Sequence, residues 1–233
     1  MLKELDEILL SDNVIEAFYD AYQKSEFKTW ILAVLPEIED CRVTKQDNPW
    51  HIYNCLDHIL HSVDEINKQT KNLEYNIRRI LAYTMFLHDI GKPKCKIRRY
   101  SKLYGREIDS FFDHNIASVK IGERALDKLG FNQIDKQIIL KLVKEHDLFM
   151  SLTLEQTTNP YKRTLTKDVL QQLVNDLDAD NGKNLMQYLL MVGKADNRAQ
   201  NPKMTGQSLK LLDVMSDMLN DVYGKNVSNN NQK

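Results

Sequence analysis

Residues 80–93 read Ile80-Leu81-Ala82-Tyr83-Thr84-Met85-Phe86-Leu87-His88-Asp89-Ile90-Gly91-Lys92-Pro93. The run from Ile80 to Leu87 has the composition of a helix buried on most sides. It ends by setting an imidazole beside a carboxylate, after which Gly91 and Pro93 stop the helix. A core helix gains nothing from that pair unless something there needs ligands. An unpartnered buried carboxylate costs several kcal/mol, so its partners must come from elsewhere in the chain.

Working outward, helical spacing dominates. Leu2, Leu5, Ile8 and Leu9, then Val14, Ile15 and Phe18, recur at intervals of three and four, the period of an amphipathic helix. "TWILAVLPEIED" reads as a short helix stopped or kinked at Pro36. Pro49 suits the start of a long helix through about residue 68, and a second runs over 74–90. Further helices are expected over 113–129, 132–147, 166–180, 184–199 and 205–223. The segment "KPKCKIRRYSKLYGREIDSF" is basic and reads as irregular. There is no internal repeat and no run of strand alternation. The expected class is all-α, with a lead-in over 1–45, a main domain over 46–224 and a disordered tail over 225–233.

Bulk composition narrows the functions. Among 233 residues, 42% are hydrophobic and 28% charged, which is ordinary for a globular protein. With 32 basic and 33 acidic residues the formal charge is -1, so no overall field draws the chain to nucleic acid or membrane. No apolar run approaches the roughly 18 residues needed to span a bilayer. Cys41, Cys55 and Cys95 lack a CxxC spacing and read as reduced thiols of a cytoplasmic protein.

Six histidines are present: His51, His58, His61, His88, His114 and His146. Each alone reads as an ordinary packed side chain. Their placement says more. His51 and His58 fall on one face of the expected helix through 68. His88-Asp89 ends the next, His114 opens "FFDHNIAS", His146 closes "LVKEHD", and Asp196 lies late in "VGKADNRAQN". Nitrogen and oxygen donors from several packed helices can converge in a bundle to hold a divalent ion. Without thiolate, the set suits Mn, Fe, Co, Ni or Zn, and Mg alone less well.

The ordered set "DHILHSV", "FLHDIGKP", "FFDHNIAS", "VKEHD" and "KADNRAQN" resembles the HD superfamily of metal-dependent phosphohydrolases. It is most similar to the HD domains of bacterial CCA-adding tRNA nucleotidyltransferases, as is the upstream "VLPEIEDCRVTKQDNPWHIYNCLDHIL". The resemblance covers about residues 31–201. It implies a helical bundle with the metal between helices, and His58, His88, Asp89 and Asp196 as ligands. His114 and His146 correspond to positions that take a second metal or the substrate phosphate. His51 matches a histidine of the nearer relatives, without an assigned role, and His61 matches no ligand position. Nothing in the chain resembles a nucleotidyltransferase catalytic domain, nor the glycine-tyrosine-proline signature of cyclic-dinucleotide phosphodiesterases.

The implied activity is hydrolysis of a nucleotide or related phosphoester by a metal-activated water. Asp89 would ligate the metal and orient the water, and Lys92 would meet the phosphoryl charge, with Arg198 as a further candidate. Since Ile90, Gly91 and Lys92 follow the His-Asp pair, with no further acid, His114 and His146 are expected to hold phosphate rather than a second ion. The alternative is an HD-fold accessory protein that binds RNA or nucleotide with little catalysis. The basic segment with Tyr100 and Tyr104 keeps nucleic acid open, although a lid over a small phosphoester is the favoured use.

Overall fold

Helix α6 (Tyr75–Leu87) forms where the apolar run predicts one, buried from Ile80 through Leu87. It is the spine of an all-helical bundle in the computed structural model, which describes residues 1–178 and 185–229. Helix α5 (Cys55–Thr70) packs along α6 and against α11 (Leu185–Arg198). Helix α9 (Gln133–Glu145) lies against α6, α11 and α8 (His114–Lys128). Of the N-terminal helices α1 (Leu2–Leu9), α2 (Val14–Gln23), α3 (Ser25–Val34) and α4 (Glu37–Val43), α1 packs on α6 while α2 and α4 pack on α5. Their apolar faces join one continuous core with those of the central helices, so burial of shared apolar surface holds the lead-in to the rest. Among the described residues no helix is long and apolar enough to cross a membrane.

The start of α5 differs from the expectation at Pro49. Asn54 caps the helix, its Oδ1 accepting from the Asp57 N–H at 2.8 Å while its amide donates to the Asp57 carboxylate at 2.6 Å. Asn132 and Asp135 repeat the arrangement at α9. Each cap satisfies an N–H that the helix cannot, worth about 1 kcal/mol. Pro49 instead lies in a pinned loop. Asn48 Oδ1 accepts from the N–H groups of Trp50 and His51, and Asn201 donates to the carbonyls of Pro49 and Trp50.

The segment read as irregular forms structure of its own. After a single turn, α7 (Lys92–Cys95), it makes an antiparallel hairpin of β1 (Lys96–Ser101) and β2 (Arg106–Phe111). Gly105 supplies the left-handed residue of the turn, with φ 62°. Strand β1 is exposed along almost its whole length, so it lacks the alternation that marks a half-buried strand. Charge holds it down: Lys96 and Arg98 pair with Asp109, and Arg98 and Arg106 with Asp47. Beyond α9 come a two-residue strand pair, Leu152–Thr153 with Arg163–Thr164, and α10 (Lys167–Asp178). Helix α12 (Gly206–Asn229) packs on α10 and α11. It runs through the first residues of the expected tail, of which 230–233 lie outside the described residues. The ends of the helices expected over 166–180 and 184–199 also fall partly outside them.

Gly91 does not terminate α6. The helix ends at Leu87 and the chain stays right-handed through His88 and Gly91, whose φ is -82°. Space demands the glycine: a Cβ there would lie 2.5 Å from the His114 carbonyl oxygen and the Ser118 nitrogen, and 2.7 Å from the Ala117 Cβ. The Gly91 N–H donates to Ser118 Oγ at 2.9 Å, which clasps the His-Asp turn to the first turn of α8. Gly91→Ala is expected to lose about 1–3 kcal/mol by overpacking, lowering Tm by about 2–4 °C for each kcal/mol. Gly206→Ala, with nothing within 4 Å of the added methyl, should melt like the parent. Equal melting of the two variants would show that close approach is not what requires Gly91.

Candidate metal centre

Four histidines face one another across the bundle, and each is aimed by a backbone carbonyl. Nδ1 of His58 lies 3.3 Å from the Ala199 carbonyl, and Nδ1 of His88 2.6 Å from that of Met85. Nδ1 of His114 and of His146 lie 2.7 Å from the carbonyls of Phe111 and Val143. A carbonyl only accepts, so each Nδ1 carries hydrogen and donates it, leaving Nε2 as the inward-facing atom. In His88, His114 and His146 the acceptor is the third residue back, at a helix end or start. There the carbonyl is free of the regular ladder.

The four Nε2 atoms surround Asp89. Its Oδ2 is 3.0 Å from His58 Nε2 and 3.2 Å from His88 Nε2. Its Oδ1 is 3.1 Å from His114 Nε2 and 3.7 Å from His146 Nε2. Asp196, from α11, brings Oδ1 to 3.0 Å from His58 Nε2 and 3.6 Å from His88 Nε2. Two overlapping ligand groups result: His58, His88, Asp89 and Asp196, and Asp89, His114 and His146, each with its donor atoms within 4.8 Å of one another. Asp89 is shared, one oxygen turned to each group.

The fit to a metal rests on Asp89. Both its oxygens are sealed from solvent without a hydrogen bond of good geometry, although Lys92 Nζ approaches Oδ2 to 2.5 Å. A buried carboxylate left this way calls for a cation. Neutral imidazole and carboxylate donors suit a divalent transition ion, and the residues present can hold one.

Electrostatics in the metal-free cluster follow from the same contacts. Burial pushes the Asp89 pKa upward, but the charges of His88 and Lys92 outweigh it and hold the carboxyl well below its usual range. Burial opposes protonation of His88, yet Asp89 and Asp196 lift its pKa to about 10. His146 goes the other way, with burial lowering its pKa.

Lys92, read from the sequence as a phosphate contact, is buried instead. Its ammonium meets Gln46 Oε1 at 3.0 Å, His51 Nε2 at 3.0 Å and Asp89 Oδ2 at 2.5 Å. The contacts to Gln46 and His51 are hydrogen bonds, and the contact to Asp89 is an ion pair. The tautomer of His51 follows from Asn48. Asn48 Oδ1 accepts from two backbone N–H groups, so the His51 Nδ1 beside it, at 2.8 Å, must donate. Nε2 is thereby left to accept from Lys92. His51 precedes α5 and is not on it, contrary to the shared-face expectation, although its ring still packs on that of His58, with centroids 5.1 Å apart.

Of the other expected residues, Arg198 is exposed and does not line the cavity at the cluster. His61 stacks on Tyr53. Two groups escaped the sequence reading. Asp147 Oδ2 lies 3.3 Å from His114 Nε2, and its place beside His146 in "EHD" was the available signal. Gln200 donates to both oxygens of Asp196, one turn away.

A metal taking Nε2 of His88 must displace the proton that Asp89 and Asp196 hold there. At neutral pH, metal uptake is therefore expected to release about one proton or more per ion. Calorimetric titration in buffers of different ionisation enthalpy measures this, and heats independent of the buffer would contradict it. Because the folded-state pKa of His88 is raised, the stability it lends the metal-free protein is fully present below about 6.5. It is lost as pH rises through about 10.

No protein-family model matches the chain. A bifunctional uridylyltransferase/uridylyl-removing enzyme of Bradyrhizobium sp. (strain ORS 278) is 29% identical over 90 residues, which is 39% of this chain and 8% of that protein. A second, from Bradyrhizobium sp. (strain BTAi1 / ATCC BAA-1182), is 28% identical over 90 residues with the same coverage. The chain thus matches less than a tenth of the length of these relatives, and the similarity is to a part of a bifunctional transferase and removing enzyme.

Proposed function

We propose that this chain is a metal-dependent phosphohydrolase of the HD type, acting on a nucleotide or related phosphoester. The observation that carries the reading is Asp89, whose two oxygens serve two histidine groups turned inward by their Nδ1 hydrogen bonds. The partial similarity to an enzyme that also removes uridylyl groups is in keeping with phosphoester chemistry. The resemblance of the ordered motifs and lead-in over about 31–201 to the HD domains of CCA-adding enzymes supports the same reading, with the HD domain placed over 46–224.

His58, His88, Asp89 and Asp196 would hold one ion, and Asp89, His114 and His146 a second. A divalent ion bound there supplies a water acidic enough to attack phosphorus near neutral pH. The chain's own contributions are orientation and charge. Gln46 and His51 fix Lys92 against Asp89, so the carboxylate stays ionised and in place. Asp147 sits beside His114 and His146, within reach of a proton at either Nε2. Phe149, Leu211 and Leu212 give the cavity an apolar side away from the ligand groups. In the hairpin, Lys96, Arg98 and Arg106 are paired with Asp47, Asp109 and Glu107, which favours a small phosphoester over nucleic acid.

Assays of phosphomonoesters, cyclic nucleotides and nucleoside triphosphates with Mn, Ni, Co, Fe, Zn and Mg added singly test the reading. Asp89→Asn keeps the shape of the side chain and removes its charge. It is expected to lower turnover on the order of 10³-fold with the fold retained. A folded variant that keeps a tenth of the activity would overturn the role of Asp89. Metal titration should approach two equivalents, and His114→Ala or His146→Ala should each remove about one. A stoichiometry of one in the parent protein would return those histidines to phosphate binding.

A further inference from the structure

The cavity in front of the cluster is about 400 Å³, within the range of small-ligand sites. Its charges are unevenly distributed. Asp89, Asp109, Asp113, Asp147 and Asp196 line it, against only two permanent cations, Lys92 and Arg99. Lys92 is buried, hydrogen-bonded to Gln46 and His51, and its charge is paired with Asp89. Asp109 is neutralised by Lys96 and Arg98 from the hairpin.

That leaves Arg99 as the lining cation without a carboxylate partner among the described residues. Its Nε donates to Ser110 Oγ at 2.6 Å and its guanidinium lies 5.4 Å from the Phe112 ring centroid. Arg99 is exposed and lines the cavity. Past the cluster the wall is apolar: Trp50, Phe149, Met150, Leu211 and Leu212. Phe149 is seated against Gly193, where a Cβ would come within 2.8 Å of its ring. Trp50 is braced edge-on by Tyr104 at 5.6 Å.

We infer that the site takes a phosphomonoester of a ring-bearing alcohol, with a single phosphate at the cluster and the ring against the Trp50–Phe149 wall. The inference rests on the phosphohydrolase reading and narrows it. Further phosphates would extend past the ligand groups toward Asp113 and Asp147 with Arg99 alone to meet them, and like charges in a cavity repel. A ring gains from the aromatic wall what an open-chain alcohol does not. In the reaction the ester P–O bond breaks and a P–O bond to the water oxygen forms. The water's proton ends on the leaving oxygen, giving the free alcohol and inorganic phosphate.

The test uses the full chain loaded with the metal that best supports it. The probes are adenosine 5′-monophosphate, adenosine triphosphate, 3′,5′-cyclic adenosine monophosphate and glycerol phosphate, with released alcohol and phosphate measured. The monophosphate is expected to lead each of the others by about tenfold or more in kcat/KM, the equivalent of about 1.4 kcal/mol. Trp50→Ala, which removes part of the ring wall, should raise its KM while leaving kcat within about twofold. Equal or faster turnover of the triphosphate, the cyclic diester or glycerol phosphate would overturn the substrate class and leave the hydrolase reading standing. Should a metal-loaded protein turn over none of them, the hydrolase reading fails. Calorimetric binding then decides the inference separately: tighter binding of the monophosphate than the triphosphate supports it, and the reverse order or no binding overturns it.

Discussion

The Asp89 carboxylate is the constraint around which the other parts of this molecule are arranged. It is buried at the end of a core helix, where a bare charge would not be tolerated. Lys92 answers one oxygen directly, and four imidazoles meet the pair: His88 from the end of the same helix, His114 and His146 from the termini of α8 and α9, and His58 from α5. Each imidazole is held by a backbone carbonyl, so its aim depends on helix ends that cannot move without breaking a buried hydrogen bond. The caps on α5 and α9, the clasp at Gly91 and the contacts of Asn201 all serve to place those ends.

Much of this was legible in the sequence because helices bring residues to a point by simple periodicity. The helices were readable from apolar spacing, and the His-Asp pair on a buried run announced a site needing partners. His58, His88, Asp89 and Asp196 come from α5, the end of α6 and α11, which share one core. What stayed hidden depended on loops. Proline at 49 suggested a helix start, but the Asn54 cap decided the boundary five residues later. The hairpin was invisible because its first strand buries almost nothing, and its pairing rests on charges whose partners lie at Asp47 and Asp109. Asp147 and Lys92 were misjudged or missed because their roles follow from which atoms lie within 3–4 Å, which spacing along a chain does not encode.

Lys92 shows how a residue type can mislead. A lysine beside a metal motif invites a phosphate contact, since an ammonium suits that partner well. Here the loop carrying Gln46, Asn48 and His51 closes over it and uses its donors on protein acceptors. Asn48, by taking two backbone N–H groups, fixes the proton on His51 and so turns the histidine into an acceptor. Hydrogen bonds thus run from a loop backbone through Asn48 and His51 to Lys92, whose charge lies against the buried carboxylate.

The contact between Gly91 and the first turn of α8 has a consequence for how this scaffold can vary. It makes the chain return, at His114, to the spot it left at Gly91, so the two histidine groups are joined at the base of the excursion between them. The excursion itself, with its hairpin, Arg99 and Phe112, hangs outside that junction and forms one side of the cavity mouth. Only its distal part, around the turn at Gly105, can drift freely, because Asp109 braces the Asp47–Asn48 loop and the Phe111 carbonyl aims His114. The ligand groups are fixed by van der Waals contact at Gly91, and the outer turn of the excursion is the part left open to change.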